Sequence, residues 1–269
     1  MQISRGWRER IKNNLGVRGK GEVSPVATAT SVDRHGLIDL TQPRNPSSIR
    51  LHQRKARAMY TLYGSPSTAG TAIHWMLLEL GVPFALQMLD FDKGEHKTPE
   101  YLALNPDGVV PTLIVDGLPV TQMAALLTLL AERHPEANFA PPVGSPERAA
   151  YLSWSFWLAN SFQPHFRAWF YPHEPAGGEA LVAVQAAARA KIEEGLARLD
   201  AHLADRDVIV GDGFTTVDLL TTILCRWTRN MPKPATTWPN LKRYLDRVRQ
   251  RPALIEVHAR EGLTDWIRG

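Results

Sequence analysis

The chain is 269 residues long, with 44% hydrophobic and 22% charged residues, which excludes wholesale disorder and suits one large or two modest globular domains. No apolar run reaches the ~18 residues that span a bilayer, and Met1 to Arg10 lack the apolar core of a secretory signal. A single cysteine, Cys225, excludes an internal disulfide framework and a cysteine-based zinc cluster, and with the missing signal it points to a reducing, cytoplasmic setting.

The net charge of +4 is unevenly spread. Residues 1–58 hold 12 Lys and Arg against 4 Asp and Glu, whereas the rest of the chain holds 19 against 23. Pro25, Pro43, Pro46 and Ser47-Ser48 make this leader loop-like, and it lacks the helical periodicity and interleaved aromatics of an arm for nucleic acid or membrane. It reads as a disordered extension, or as sequence upstream of a start at Met59, and neither nucleic acid nor membrane is expected as a partner.

From Met59 the texture changes. Tyr60-Thr-Leu-Tyr63 predicts a strand and Gly64-Ser-Pro-Ser67 a turn. A helix over Thr71 to Leu80 follows from Ile73, Met76, Leu77 and Leu80 at i, i+3, i+4 and i+7, with Gly81 and Pro83 stopping it. Phe84 to Leu89 predicts a parallel second strand, and Asp90 to Pro106 is a polar stretch. Val109 to Val115 and Leu118 to Thr121 form a hairpin about Asp116-Gly117, and a helix over Gln122 to Arg133 closes the unit. The order β-α-β, then β-β-α, is that of a thioredoxin-like fold. This domain is placed at 59–137, a proline-rich linker at 138–146 and an all-helical domain at 147–269. Within the last, helices are expected from Ser145-Pro-Glu towards Tyr171, over Gly178 to Leu203, from Leu219 to Asn230, from Trp238 to Arg249, and from Pro252. Thr215-Thr-Val-Asp218 is a capping box for the third of these.

Several residue groups could carry chemistry. Ser65, Ser67 and Thr68 offer hydroxyls at the head of a helix, where an anion or thiolate is stabilised, although Ser and Thr also cap helices with no further role. Pro111 at the mouth of a strand marks an edge or a cis peptide, and a cis bond would turn the backbone of Val110 outward for an extended peptide. Gln122 at a helix start could hold an amino group or a carboxylate. The loop Lys93-Gly-Glu-His96-Lys97 suits a carboxylate. Trp154, Phe156, Trp157, Phe162, Phe166, Trp169 and Phe170 exceed what one apolar stripe needs, so some line a hydrophobic pocket, with Trp157, Phe162, His165 and Phe166 as the candidates. No metal-ligand spacing occurs, no metal is expected, and Cys225 on an apolar helix reads as core.

Asn105-Pro-x-Gly-x-Val-Pro111, Asp116-Gly117, Gln122 and Gly211-Asp-Gly-Phe-Thr-Thr-Val-Asp218 together resemble the glutathione S-transferase family over about Met59 to Leu263. Arg226-Trp227 and Arg251-Pro…Glu261-Gly-Leu263 look like the bacterial beta class, and Lys93-Gly-Glu-His96 looks like theta and delta enzymes. The resemblance implies a cytoplasmic homodimer for detoxification that takes glutathione as co-substrate, without a metal, and joins its thiolate to a small apolar electrophile. It places the cysteinyl part of glutathione on Val110 and Pro111, the γ-glutamyl end on Gln122 and Met123, and the glycyl end on His96 and Lys93. Ser67 falls where delta enzymes keep a catalytic serine, with Thr68 and Tyr63 as the other candidate hydroxyls. The beta-class cysteine falls at Thr68 or Ala69 and is absent, and Met123 stands where the family has a serine. A transferase-like module that binds glutathione or apolar ligands without turnover is the alternative.

Overall fold

The computed structural model describes residues 60–176 and 180–266. The extension expected over 1–58 lies outside the described residues, as does Gly178.

Four strands, β1 (Tyr60–Gly64), β2 (Phe84–Met88), β3 (Thr112–Val115) and β4 (Leu118–Thr121), form one sheet in the order β2-β1-β3-β4. β1 and β2 run parallel with Tyr60 opposite Phe84, while β3 lies antiparallel to both β1 and β4. The crossover is helix α1 (Gly70–Leu80), whose buried face carries Ile73, Met76 and Leu77 onto Tyr60 and Leu62 of the sheet. Gly81 ends it at φ 63, a left-handed conformation that glycine adopts without a Cβ penalty.

The polar stretch from Asp90 to Pro106 contains a helix that periodicity did not reveal, α2 (Pro99–Leu104). Six residues are too few for an apolar stripe, yet its start signals are present: Pro99 at the first turn, and Thr98 accepting from the Tyr101 N–H. The third strand begins at Thr112 and not at Val109, since Pro111 has no N–H for a ladder, and the Val110–Pro111 peptide is cis. α3 (Met123–Arg133) packs back on α1.

In the helical half, the single helix expected towards Tyr171 is three segments: α4 (Pro146–Phe156), a π-helical stretch over Trp157–Phe162, and α5 (Gln163–Phe170). Pro164 explains the interruption, because its ring excludes the carbonyl four residues back and it has no N–H to donate, so the backbone widens ahead of it. The Phe162 ring then lies close against Gly195, where a Cβ would stand 2.3 Å from the ring. After α6 (His173–Ala176) come α7 (Leu181–His202), α8 (Thr216–Trp227), α9 (Pro239–Val248) and α10 (Pro252–Arg260). No described helix is long and apolar enough to cross a membrane.

α8 is buried from Thr216 to Arg226 and is the axis of this half. It ends at Trp227, short of Asn230, as the Thr228 hydroxyl folds back on the Cys225 carbonyl at 2.6 Å. Burial pushes the Cys225 thiol up to about 12, so it is a core side chain and no nucleophile. The capping box forms: the Thr215 N–H donates to Asp218 Oδ2 at 2.8 Å. The other oxygen, Oδ1, accepts from the Ile209 N–H at 3.0 Å and the Tyr244 hydroxyl at 3.1 Å. One buried carboxylate thus ties the start of α8 to the preceding loop and to α9. Asp218→Ala should lower unfolding stability in urea by about 2–4 kcal/mol, the loss of a cap plus buried donors left unpaired. Asp218→Asn, which keeps an acceptor oxygen, should lose less.

Candidate active site

A cleft of about 1360 Å³ separates the sheet domain from α4, α5 and the end of α8. A pocket for one small ligand measures ~300–1,000 Å³, so this cleft has room for two. Ser67, His96, Val110 and Gln122 border it on the sheet side.

Two strained backbone positions face the cleft. Gln122 sits at φ 75 and ψ 114, and Ser67 at φ 64, both in the half of φ space that residues with a Cβ rarely enter. Such positions cost on the order of 1–3 kcal/mol and persist where their surroundings hold them. At Gln122 the strain turns the chain from β4 into α3, which begins at the cleft with no side-chain cap. The first N–H groups of α3, at Met123, Ala124 and Ala125, therefore lack intrahelical acceptors and present the positive end of the helix dipole. The Met123 side chain is buried in the core, so this position supplies backbone and no hydroxyl.

The 105–111 loop is pinned from beneath. The Tyr101 hydroxyl and the Asn105 amide both donate to the Val109 carbonyl at 2.6 Å, which fixes Val110 and Pro111 at the edge of the cleft. Burial pushes the Tyr101 phenol up, so it remains a donor. His96 approaches from the 3-10 turn Glu95–Lys97; its ring packs at a tilt of 32° against Phe91 with centroids 4.2 Å apart, and its buried Nδ1 has no partner among the described residues. Lys93 does not join it. Its ammonium pairs with Asp90 at 2.8 Å on the exposed side, because the carboxylate three residues back lies on the outer face of the turn. Lys97 borders the cleft instead, its Nζ donating to the Asp107 carbonyl at 3.2 Å.

The three candidate hydroxyls separate clearly. Tyr63 packs its ring 5.8 Å from Tyr101 and does not border the cleft. Thr68 borders it, but its hydroxyl donates to the Ser65 carbonyl at 2.6 Å and accepts from the Gly70 N–H at 3.1 Å, which commits it to the turn. Ser67 Oγ accepts from Arg226 Nη1 at 2.6 Å and from Arg229 Nη2 at 3.1 Å. Its N–H donates to Glu261 Oε2 at 3.3 Å, so the left-handed serine is gripped by three charged groups of the helical half.

The aromatic wall differs from expectation. Of Trp157, Phe162, His165 and Phe166, the cleft receives only Phe166. Trp157 stacks on Phe162 at 5.2 Å and lies under the Arg198 guanidinium; Phe162 is core; His165 is half-buried beside Lys191 and Glu194 of α7. One extra residue in the π-helical turn rotates everything beyond it by ~100° relative to a straight α-helix, which moves the exposed stripe. Phe156, Phe170, Tyr171 and Trp227 complete the wall, with the Phe166 and Trp227 rings 5.7 Å apart. Arg229 also borders the cleft, and no sequence pattern marked it out: it lies in an irregular turn after α8.

The sequence profile described as glutathione S-transferase, N-terminal domain, matches residues 58–132, and that of the C-terminal domain matches 161–252. Glutathione S-transferase GstA of Escherichia coli O157:H7 is 28% identical over 204 residues, covering 75% of this chain and 98% of that protein. Glutathione S-transferase GST-4.5 of Xanthomonas campestris pv. campestris is 32% identical over 167 residues, 62% of this chain and 81% of that protein. A sphingomonad glutathione S-transferase solved in complex with glutathione superimposes with a TM-score of 0.67 at 31% identity, over 76% of this chain and all of the other. The chain belongs to the glutathione S-transferase family.

Gly108 sits at φ +58, and a Cβ there would stand 2.9 Å from the His96 carbonyl and 3.0 Å from Leu102. Gly108→Ala should therefore push the 95–97 turn out of place and strain the backbone by about 1–2 kcal/mol. We expect the KM for glutathione to rise several-fold with kcat less affected, in steady-state assays with glutathione varied.

Proposed function

We propose that this protein is a glutathione transferase in which Ser67 holds the bound thiol as its thiolate. The observation that carries the reading is the state of the Ser67 hydroxyl. A serine oxygen has two acceptor lone pairs and one proton to give, and two guanidinium groups occupy the lone pairs. What remains is a donor at the border of the cleft.

Glutathione would lie along the sheet side. Its γ-glutamyl carboxylate meets the open N–H groups of α3 beside Gln122, its cysteinyl backbone pairs with Val110, and its glycyl carboxylate meets His96 and Lys97. The thiol then falls near Ser67. The hydroxyl donates far more strongly to an anionic sulfur than to the neutral thiol, so the proton leaves to solvent more readily; lowering the thiol pKa by one is worth ~1.36 kcal/mol of preference for the anion. The thiolate attacks an electrophilic carbon held against Phe156, Phe166 and Trp227, a sulfur–carbon bond forms, and the leaving group departs with its electron pair. An aromatic electrophile matches these ring faces. Kinship with bacterial transferases supports a cytoplasmic homodimer serving detoxification; light scattering at twice the protomer mass would check the dimer.

Turnover of glutathione with a chlorodinitrobenzene is the direct test. Met123, in place of a hydroxyl that would bond the γ-glutamyl carboxylate, favours a second reading: a module that binds without catalysis. Retention on immobilised glutathione with no thioether product would establish that alternative. If the transferase reading is right, Ser67→Ala should raise the pKa of the bound thiol and cut turnover at neutral pH, by about tenfold for a thiol that titrates one pH unit higher. The KM for glutathione should change little. Thr68→Ala and Tyr63→Phe should leave the pH profile in place, since one hydroxyl is spent in the turn and the other belongs to a residue that does not border the cleft.

A further inference from the structure

We infer that Arg226 and Arg229 are positioning residues that aim the Ser67 proton into the cleft, and that Asp265 and Glu261 hold this device across the two halves of the protein. The inference rests on the transferase reading of Ser67 but concerns residues beyond it. Arg226 is buried, and each edge of its guanidinium has a fixed partner: Nη1 on Ser67 Oγ, Nη2 on Asp265 Oδ1 at 2.6 Å, and Nε on His258 Nε2 at 3.2 Å. Arg229 adds Nη2 to the same serine oxygen and sends Nε to Asp265 Oδ2 at 2.5 Å. A single carboxylate therefore spaces two cations so that both point at one hydroxyl.

The arrangement removes the ambiguity that a serine normally has. A free hydroxyl rotates among three staggered wells and can turn its lone pairs towards a ligand. With both acceptor sites filled by cationic donors, only the orientation with the proton outward remains. Donation from guanidinium groups also draws charge from the oxygen, which makes that proton a better donor to a thiolate. Glu261 completes the seat from the other side. It accepts from the Ser67 N–H, from the Thr71 hydroxyl at 2.7 Å and from His74 Nδ1 at 2.9 Å, and so holds the left-handed backbone on which the geometry depends.

The charged and titratable groups around Ser67 are thus Arg226 of α8, Arg229 in the turn after it, His258 of α10, Glu261 and Asp265 beyond it, and His74 of α1. Burial, then repulsion from Arg229, lowers the Arg226 guanidinium, with Asp265 opposing, and arginine stays charged at every working pH. Burial works against the Asp265 carboxylate, but the two arginines together hold it below its usual range. Burial also lowers His258, consistent with a neutral ring that donates through Nδ1 to the Leu254 carbonyl and accepts from Arg226 through Nε2. Because several titratable groups surround Ser67, the absorbance of the thiolate itself, and not the activity profile alone, reports the state of the bound sulfur.

The test is a pH titration of the thiol of bound glutathione, followed by thiolate absorbance, together with kcat/KM against pH for glutathione and a chlorodinitrobenzene. It uses the full chain and the variants Arg226→Gln, Arg229→Gln and Ser67→Ala, with each arginine variant also made in the Ser67→Ala background. We expect Arg229→Gln to move the titration and the acid limb upward by about one pH unit, a tenfold loss of thiolate on the acid side. Glutathione KM should stay within about twofold, and the displacement should vanish once Ser67 is alanine. Arg226→Gln should do the same where it folds; Arg229, only partly buried, decides the matter if it does not. A titration at the wild-type position in Arg229→Gln overturns the inference. So does an undiminished displacement in the Ser67→Ala background, since the cation would then act without the hydroxyl. The titration needs no electrophile, so a chain that binds glutathione without turnover still decides it. Absence of glutathione binding overturns this inference and the functional reading together.

Discussion

Ser67 is held in a left-handed backbone conformation by charges that belong to the other half of the molecule, and the geometry of the cleft depends on that grip. The residue alone would not choose φ 64. Glu261 takes its N–H, and Arg226 and Arg229 take its hydroxyl oxygen, across more than 150 residues of chain. The thioredoxin-like half therefore carries a candidate catalytic turn whose shape is imposed from outside. The two halves are coupled through this contact as well as through their shared core.

The helical half must hold the arginines still, and a second buried charge does so. Asp218 fastens the start of α8 to Thr215, Ile209 and Tyr244, and Thr228 terminates the helix so that Arg229 turns back towards the sheet domain. A buried, fully bonded carboxylate adds modestly to stability, but breaking it leaves several groups unpaired, which makes the arrangement specific. The aromatic wall is decided in the same half. Pro164 and the π-helical turn before it send Trp157 and Phe162 into packing, against Arg198 and Gly195, and leave Phe156, Phe166 and Phe170 at the cleft.

Much of the sheet side, and the start of α8, was legible in the sequence because the signals are local. Pro111, Asp116-Gly117, Gly81 and the capping box Thr215 to Asp218 each act within a few residues of themselves, and each does in the structure what its chemistry dictates. α2 escaped because six residues carry no periodicity, although Thr98 and Pro99 announced it. Lys93 was placed at the site by resemblance, whereas its neighbour Asp90 takes the ammonium and Lys97 stands at the cleft.

By itself, then, the sequence determined the thioredoxin-like order of elements and the helical second half, and its motifs carried the resemblance to the family and, with it, Ser67, Val110, Gln122 and His96 as candidates, all of which border the cleft. The elements follow from turns, caps and periodicities, interactions that reach no farther than one or two turns of chain. Only the tertiary structure decided which hydroxyl is free, which aromatics face the cleft, and that Arg226, Arg229, Glu261 and Asp265 converge on one serine. Those outcomes depend on the phase of a helix after a π-helical turn and on charged groups meeting across long separations. Such contacts carry no periodic trace, because what selects them is the pairing of buried charge once the halves have closed on one another.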